Sequence, residues 1–310
     1  MRIPMRQVFG ETLMETGTKY DNLVVLDADV SSSTQTIHFA KEFPDRFYNF
    51  GIAEQDMAAA AAGFAANGDI PVVSTFAFLL ALRSGDAVRS LIAYNRLNVK
   101  LAGGYAGLSD FADGASHQSV TDLAIMRALP NMTVLSPSDI ENTRGAVKAM
   151  LDYEGAVYLR LSRAEIGSLH NGNENFFIGK AQILREGSDI TLITHGPILE
   201  AVLSAANALK TDGISCHILE CATVKPLDKE AILKAAQKTG QVITIEEASI
   251  IGGLGSAVAE ILCEESSTVK FRRLGLMDTF GESGSYNDLL EKYGLNEISI
   301  VQAIKDMTAD

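Results

Sequence analysis

The chain has 310 residues, 47% of them hydrophobic and 21% charged, enough for about two domains with a sizeable core. A net charge of -13 and the lack of any Lys/Arg-rich run exclude a phosphate-tracking nucleic-acid surface, so any anion site has to be local. Cys216, Cys221 and Cys263 have no metal-ligand spacing and read as reduced packing residues of a cytoplasmic protein. No apolar run reaches the length of a membrane span.

The opening "MRIPMRQVFGETLMETG" turns polar before a signal-length apolar segment develops, and it starts a first helix near Arg6. "NLVVLDA", "IPVVST", "NVKLAG", "MTVLS" and "AVYLRLS" follow as buried strands separated by amphipathic stretches. That is the pattern of a parallel sheet covered on both faces, with ligand loops at the carboxyl ends of the strands. Between the first two strands, "NFGIAEQDMAAAAAGFAANG" predicts a helix of small side chains beginning at Glu54, open to close approach by another helix or subunit. "STFAFLLALR" places Phe76 and Phe78 just after a strand, and "YAGLSDFADGASHQ" is a long loop carrying Asp113 and His117. Further along, "SPSDIENTRGAVKAMLDY" has Ser138 and Glu141 at capping-box spacing.

"EIGSLHNGNENFFIG", around residues 165 to 179, loses periodicity and reads as a linker. A second α/β unit then has strands "DITLITHG", "ISCHILEC" and "QVITIEEA", with helices "ILEAVLSAANALKTDG" and "DKEAILKAAQKTG" between them. In "GGLGSAVAEIL", Val258 stands where a dinucleotide fingerprint needs Gly or Ala. Gly253 and Gly255 are therefore read as letting a helix start pack closely on the sheet.

Taken singly, these residues have bland readings. Glu54 and Asp56 complement the positive end of a helix, the phenylalanines are core, and His117 is a satisfied structural group. Taken together, "FPDRFYNFGIAEQDMAAAAAGFA", "VSTFAF", "DGASHQSVTDLAIMRALPNMTVLSPSD" and "VYLRLSR" resemble the C-terminal half of transketolase, a thiamine-diphosphate enzyme, and above all its two-polypeptide forms. "ITLITHGPILEAVLSAANAL" and "EEASIIGGLGSAVAE" are similar to the family's C-terminal domain, so the resemblance spans nearly the whole chain.

The resemblance implies an α/β fold. Residues 1–170 would form a pyrimidine-binding domain, a parallel sheet with helices on both faces. Residues 180–310 would form the smaller α/β C-terminal domain. It implies ketol transfer, in which a two-carbon unit passes from a ketose donor to an aldose acceptor. Glu54 matches the cofactor-activating glutamate, whose carboxyl group favours the imino tautomer of the aminopyrimidine so that its nitrogen can deprotonate the thiazolium carbon. Phe76 matches the aromatic wall on the pyrimidine, which Phe78 or Leu79 completes. Asp113 and His117 match groups that hold substrate hydroxyls or assist proton transfer. Arg6, Ser33 and Arg163 match sugar-phosphate contacts.

Two positions depart from the pattern. Tyr105 stands where the family usually has His and is expected as a substrate contact that donates one hydrogen bond but cannot become a cation, and Ala112 replaces the acid before Asp113, which leaves the donor open between pentose phosphates and unusual sugars such as apulose 4-phosphate or a sulfonated sugar. The "GDG…N" motif that holds the diphosphate through a divalent metal has no match here; "NGDI", "SGDA" and "GSDI" come closest. An N-terminal partner subunit is therefore expected to supply Mg2+ or another metal and the diphosphate site, in an α2β2 assembly with the alanine-rich helix at an interface. The alternatives are the β subunit of a 2-oxo-acid dehydrogenase decarboxylating component, deoxyxylulose-phosphate synthase, and a non-catalytic scaffolding homologue.

Overall fold

The computed structural model describes residues 2–173, 175–265 and 268–309, and it is built on two twisted sheets in series. In the first, the spatial order is Thr223–Lys225, Thr133–Leu135, Val157–Arg160, Lys100–Gly104, Ile70–Phe76, Leu23–Asp27 and Phe47–Asn49. Every neighbouring pair is parallel except the first, which is antiparallel.

Alternation along the strands divides the core. Val24, Leu26, Val73 and Leu101 point to one face and meet Met57, Ala58 and Ala61 of the helix Glu54–Ala66. Leu23, Val25, Val72 and Ala102 point to the other, against Phe9 and Leu13 of the helix Met5–Thr16 and Val147 and Met150 of Ile140–Asp152. Burial on both faces is why these strands read as continuous apolar runs.

The second sheet runs Lys270–Leu276, Gln241–Ser249, Ile190–Thr194, Cys216–Glu220, Gln182–Arg185, with the last strand antiparallel. Helices Leu199–Thr211 and Glu297–Ala309 cover one face, and Lys229–Thr239 and Leu254–Glu264 the other. Both edge strands escape the sequence reading: "KFRRLGL" and "QILR" keep polar, partly exposed positions and lack the apolar run of a central strand. Among the described residues no helix is long and apolar enough to cross a membrane.

Several local expectations are corrected. The Ile140–Asp152 helix is capped by Asp139, whose Oδ1 accepts from Asn142 N at 2.7 Å. Ser138 instead donates its hydroxyl to Glu220, and Glu141 accepts from Ser168 at 2.6 Å. The 165–179 segment is more than a linker. Glu165–Ile166 pairs with Ile3–Pro4, and His170 is buried between Asp139 Oδ2 at 2.7 Å and Glu220 Oε2 at 2.8 Å. Burial opposes the charge on that imidazole, but the two carboxylates outweigh it and hold its pKa at about 10. The strand Thr223–Lys225, from the later half of the chain, joins the first sheet beside Thr133–Leu135, an exchange between the two units that local patterning does not reveal. Cys216 and Cys221 are buried, but Cys263 is exposed.

The glycine reading of the 252–262 segment is upheld. A Cβ at Gly253 would collide with the Glu246 carboxylate, and one at Gly255 would lie 2.7 Å from Thr244 Oγ1. Glu246 uses that closeness to accept from Leu254 N and Gly255 N, both at 2.8 Å.

Candidate active site

Apart from Arg6, in the first turn of the helix Met5–Thr16, the expected site residues lie at the carboxyl ends of the first sheet's strands and on the segments that follow them. Phe76 is the last residue of its strand rather than just beyond it, paired with Gly104 of the neighbouring strand. Its half-buried ring lies 4.7 Å from the ring of Tyr105, which immediately follows that neighbour. His117 meets Phe76 edge-on at 5.8 Å and Phe78 at 5.4 Å. The His117 Nδ1 shares a hydrogen bond of 2.9 Å with Ser116 Oγ, and its Nε2 has no hydrogen-bond partner among the described residues.

Tyr105 adopts φ +62°, a left-handed conformation uncommon for a side chain of this size, so its surroundings must hold it. Ala106 N donates to Leu161 O at 3.0 Å, Gly107 N to Ser119 O at 2.8 Å, and Leu108 N to Glu247 Oε1 at 2.6 Å. Glu247 lies in the second domain and also accepts from the Tyr286 hydroxyl. Arg160 donates to the Glu247 carbonyl and to Asp122 Oδ2, each at 2.9 Å, and Tyr158 donates to the same Asp122 oxygen at 2.8 Å. This buried network fastens the 105–119 loop across both domains.

Above Tyr105 sit the two arginines. Arg6 donates from Nη1 to the Tyr105 hydroxyl and, at 3.0 Å, to the carbonyl of Ser33, so it is the backbone of Ser33 that is engaged. The Arg163 guanidinium lies 5.1 Å from the Tyr105 ring centre and 5.2 Å from that of Phe111, and it donates to Asp110 Oδ1 at 3.0 Å. Both arginines line a cleft of about 840 Å³ between the domains, whose far wall includes Tyr286, Leu290 and Asn296. Tyr105 itself is 5% exposed. Its position makes it a support for Arg6 and Phe76.

Asp110 is a residue the sequence reading passes over. With Ala112 in place of an acid, the carboxyl group beside exposed Asp113 comes from three residues upstream, inside the loop. Asp110 is fully buried; burial first and the neighbouring Asp113 second push its pKa up to about 6, against the pull of Arg163. The signal available in "SDFADG" was the pair of acids three apart, but only the folded loop shows them facing each other.

Glu54 opens its helix as expected, and its carboxylate is 2% exposed. Its Oε2 accepts from Arg83 Nη1 at 3.1 Å, and its Oε1 accepts no hydrogen bond from any described residue. Arg83, which nothing in the sequence marks as its partner, ends the wide π-helical turn Leu79–Arg83, where Leu79 is buried. Glu54 and Arg83 border a recess of about 510 Å³ together with Ile52, Ala53 and Gln55. The structure thus joins Phe76, Phe78, Tyr105, His117, Arg6, Ser33, Arg163 and Asp113 into one run of contacts. Glu54 stands at a separate recess, linked to that run by the packing of its helix on the Phe76 strand. A buried carboxylate with one oxygen free is suited to hold a ring nitrogen, and the half-buried phenylalanines to cover an apolar ring, so these residues fit an aminopyrimidine cofactor.

Comparison with known proteins agrees with the resemblance. The family model "Transketolase, pyrimidine binding domain" matches residues 1–168, and "Transketolase, C-terminal domain" matches residues 179–300. A protein of Methanocaldococcus jannaschii provisionally named a transketolase C-terminal section is 46% identical over 97% of this chain and 95% of its own length. The 6-deoxy-6-sulfo-D-fructose transketolase subunit SqwH of Clostridium sp. is 41% identical over 98% of this chain and 94% of its own. A solved structure described as a split gene transketolase, inactive beta4 tetramer, superposes with a TM-score of 0.91 at 43% identity, covering 100% of this chain and 99% of that one. The chain belongs to the transketolase family.

Proposed function

We propose that this chain is the C-terminal subunit of a thiamine-diphosphate-dependent transketolase that becomes active on assembly with an N-terminal subunit. The observation that carries this reading is the buried Glu54 carboxylate with Oε1 free at a recess. Oε1 faces the recess, where a ring nitrogen can reach it without displacing a protein partner. When bound, thiamine diphosphate supplies a nucleophilic carbon that takes up a two-carbon ketol unit from a ketose and delivers it to an aldose.

The chain's own residues have separable tasks. Glu54 holds a proton between Oε1 and the aminopyrimidine ring nitrogen, and Arg83 fixes the carboxylate through its other oxygen. Phe76, Phe78 and Leu79 keep water from the ring and the reacting carbon. His117, oriented by Ser116 and wedged between two aromatic rings, presents Nε2 to a substrate hydroxyl. Arg6 and Arg163, with Asp113, read the far end of the sugar, and Tyr105 positions the first two.

The subunit and split-gene names of the relatives, and the description of one beta4 assembly as inactive, support the need for a partner. The partner holds the diphosphate and its divalent metal, an α2β2 assembly is the simplest arrangement, and the exposed side of the alanine-rich helix, where Gly63 faces open space, is a surface for it. The three unpaired cysteines support a cytoplasmic setting. The test is an assay of the reconstituted pair for ketol transfer to an aldose. Transfer supports the reading; carbon dioxide released from pyruvate without transfer would replace it with the oxo-acid alternative.

A further inference from the structure

The sugar end of the site has a feature that ketol transfer does not require: a fully buried carboxylate bonded to one of the two arginines that would read an anion. Asp110 Oδ1 takes the Arg163 Nη1 hydrogen at 3.0 Å, while Oδ2, also buried, accepts no hydrogen bond from the described residues. Asp113 lies beside it, so Arg163 is bonded to one carboxylate that has a second as its neighbour. Arg6 is likewise engaged, through the Tyr105 hydroxyl and the Ser33 carbonyl.

We propose that Asp110 is a specificity-determining residue. By occupying and neutralising Arg163, it turns the distal sugar subsite toward an uncharged, hydroxyl-bearing end group and away from a phosphate dianion. The assignment rests on the reading that Arg6 and Arg163 face the far end of the sugar.

A phosphate group binds best to a guanidinium fork with both arms free. Here it would have to displace Asp110 from Nη1, or lie against a buried carboxylate and its acidic neighbour, where charges of like sign repel through a poorly screening interior. A sugar hydroxyl has no such conflict. It can accept from an N–H of Arg163 on the cleft side without displacing Asp110 from Nη1. Burial and the Asp113 carboxylate both disfavour charge on Asp110, so the arrangement persists at neutral pH because Arg163 is there to offset it.

The test measures kcat/KM for an unphosphorylated ketose, D-xylulose, and for its 5-phosphate in the reconstituted complex, with D-ribose as the shared acceptor. The wild type should use the neutral donor at least as well as the phosphate, and millimolar inorganic phosphate should not compete with it. Asp110→Asn keeps the size and one acceptor but removes the charge, and should shift the donor ratio about tenfold or more toward the phosphate. A variant ratio within about twofold of wild type would overturn the assignment. Should that variant not fold, the wild type decides alone: about a hundredfold preference for the phosphorylated donor, or strong competition by inorganic phosphate, overturns it. Transfer from neither donor would overturn the transketolase reading and this inference with it, whereas transfer with an unmoved ratio removes only the role of Asp110.

Discussion

Two buried glutamates stand at helix starts, one in each domain, and their surroundings could hardly differ more. Glu246, beneath the helix Leu254–Glu264, gives one oxygen to Leu254 N and the other to Gly255 N, and glycines at 253 and 255 clear the space for it. Glu54, the first residue of its own helix, has one half-exposed partner, Arg83, and a second oxygen that accepts no hydrogen bond from the described residues. The first is a carboxylate whose lone pairs are used to close a helix end. The second is equally hidden and left open. The two glutamates are alike in burial and differ in how many of their oxygens are satisfied, and the proposed role of Glu54 rests on that difference.

Substitutions that remove one charge at a time can break that contrast. The largest effect on turnover is expected at Glu54→Gln, where kcat should fall by about a thousandfold, within the range of a lost general acid–base group. Its thermal midpoint should barely move, because the lost pair with a half-exposed arginine is screened by solvent. Turnover near wild type would make Glu54 another Glu246.

On the structural side, His170→Gln strips the charge from between Asp139 and Glu220, and should cost about 3–5 kcal/mol of stability. The sign of its pH dependence follows from a raised pKa. The folded state binds a proton that the unfolded state releases between the ordinary histidine value of 6.5 and about 10, so the contribution is full below 6.5 and fades as pH rises through 10. Lys100, pushed down to about 7 by burial, acts oppositely in an overlapping window, so the difference between wild type and variant in denaturant melts isolates the histidine. A difference that grows with pH would refute the ion-pair account.

Glu246→Gln should destabilise by about 1–3 kcal/mol while the folded fraction keeps its activity. Activity lost without stability would erase the distinction between the two glutamates. The smallest effect is expected at Arg83→Met: stability within about 1 kcal/mol and turnover within about tenfold of wild type, since Arg83 steadies Glu54 without touching the reacting atoms. A drop as large as that of Glu54→Gln would move Arg83 into the chemistry.

The central strands and most helices were legible because their periodicity is set by burial on two faces, as "NLVVLDA" and "ILEAVLSAANALKTDG" show. What escaped depends on distant partners. Ser138 has the spacing of a cap, yet Asp139 takes the role because Ser138 is drawn to Glu220, 82 residues away. The strand Thr223–Lys225 crosses into the other sheet for reasons that lie in Thr133–Leu135. In the site, the residue types at 54, 76, 117 and 163 were visible through motif resemblance. The pairings of Asp110 with Arg163 and of Arg83 with Glu54 join segments 53 and 29 residues apart, and no local pattern encodes them. The same holds for Tyr105, which reads as a substrate contact and stands in the fold as a buried support.

The most direct test is exchange of the cofactor's thiazolium C2 proton for deuterium, followed by NMR after acid quench, in the reconstituted complex with wild-type chain and with Glu54→Gln. The account predicts exchange faster than turnover in the wild type, and a fall to nearly the rate of free thiamine diphosphate in the variant while the cofactor stays bound. Exchange as fast in the Glu54→Gln complex as in the wild type would contradict it.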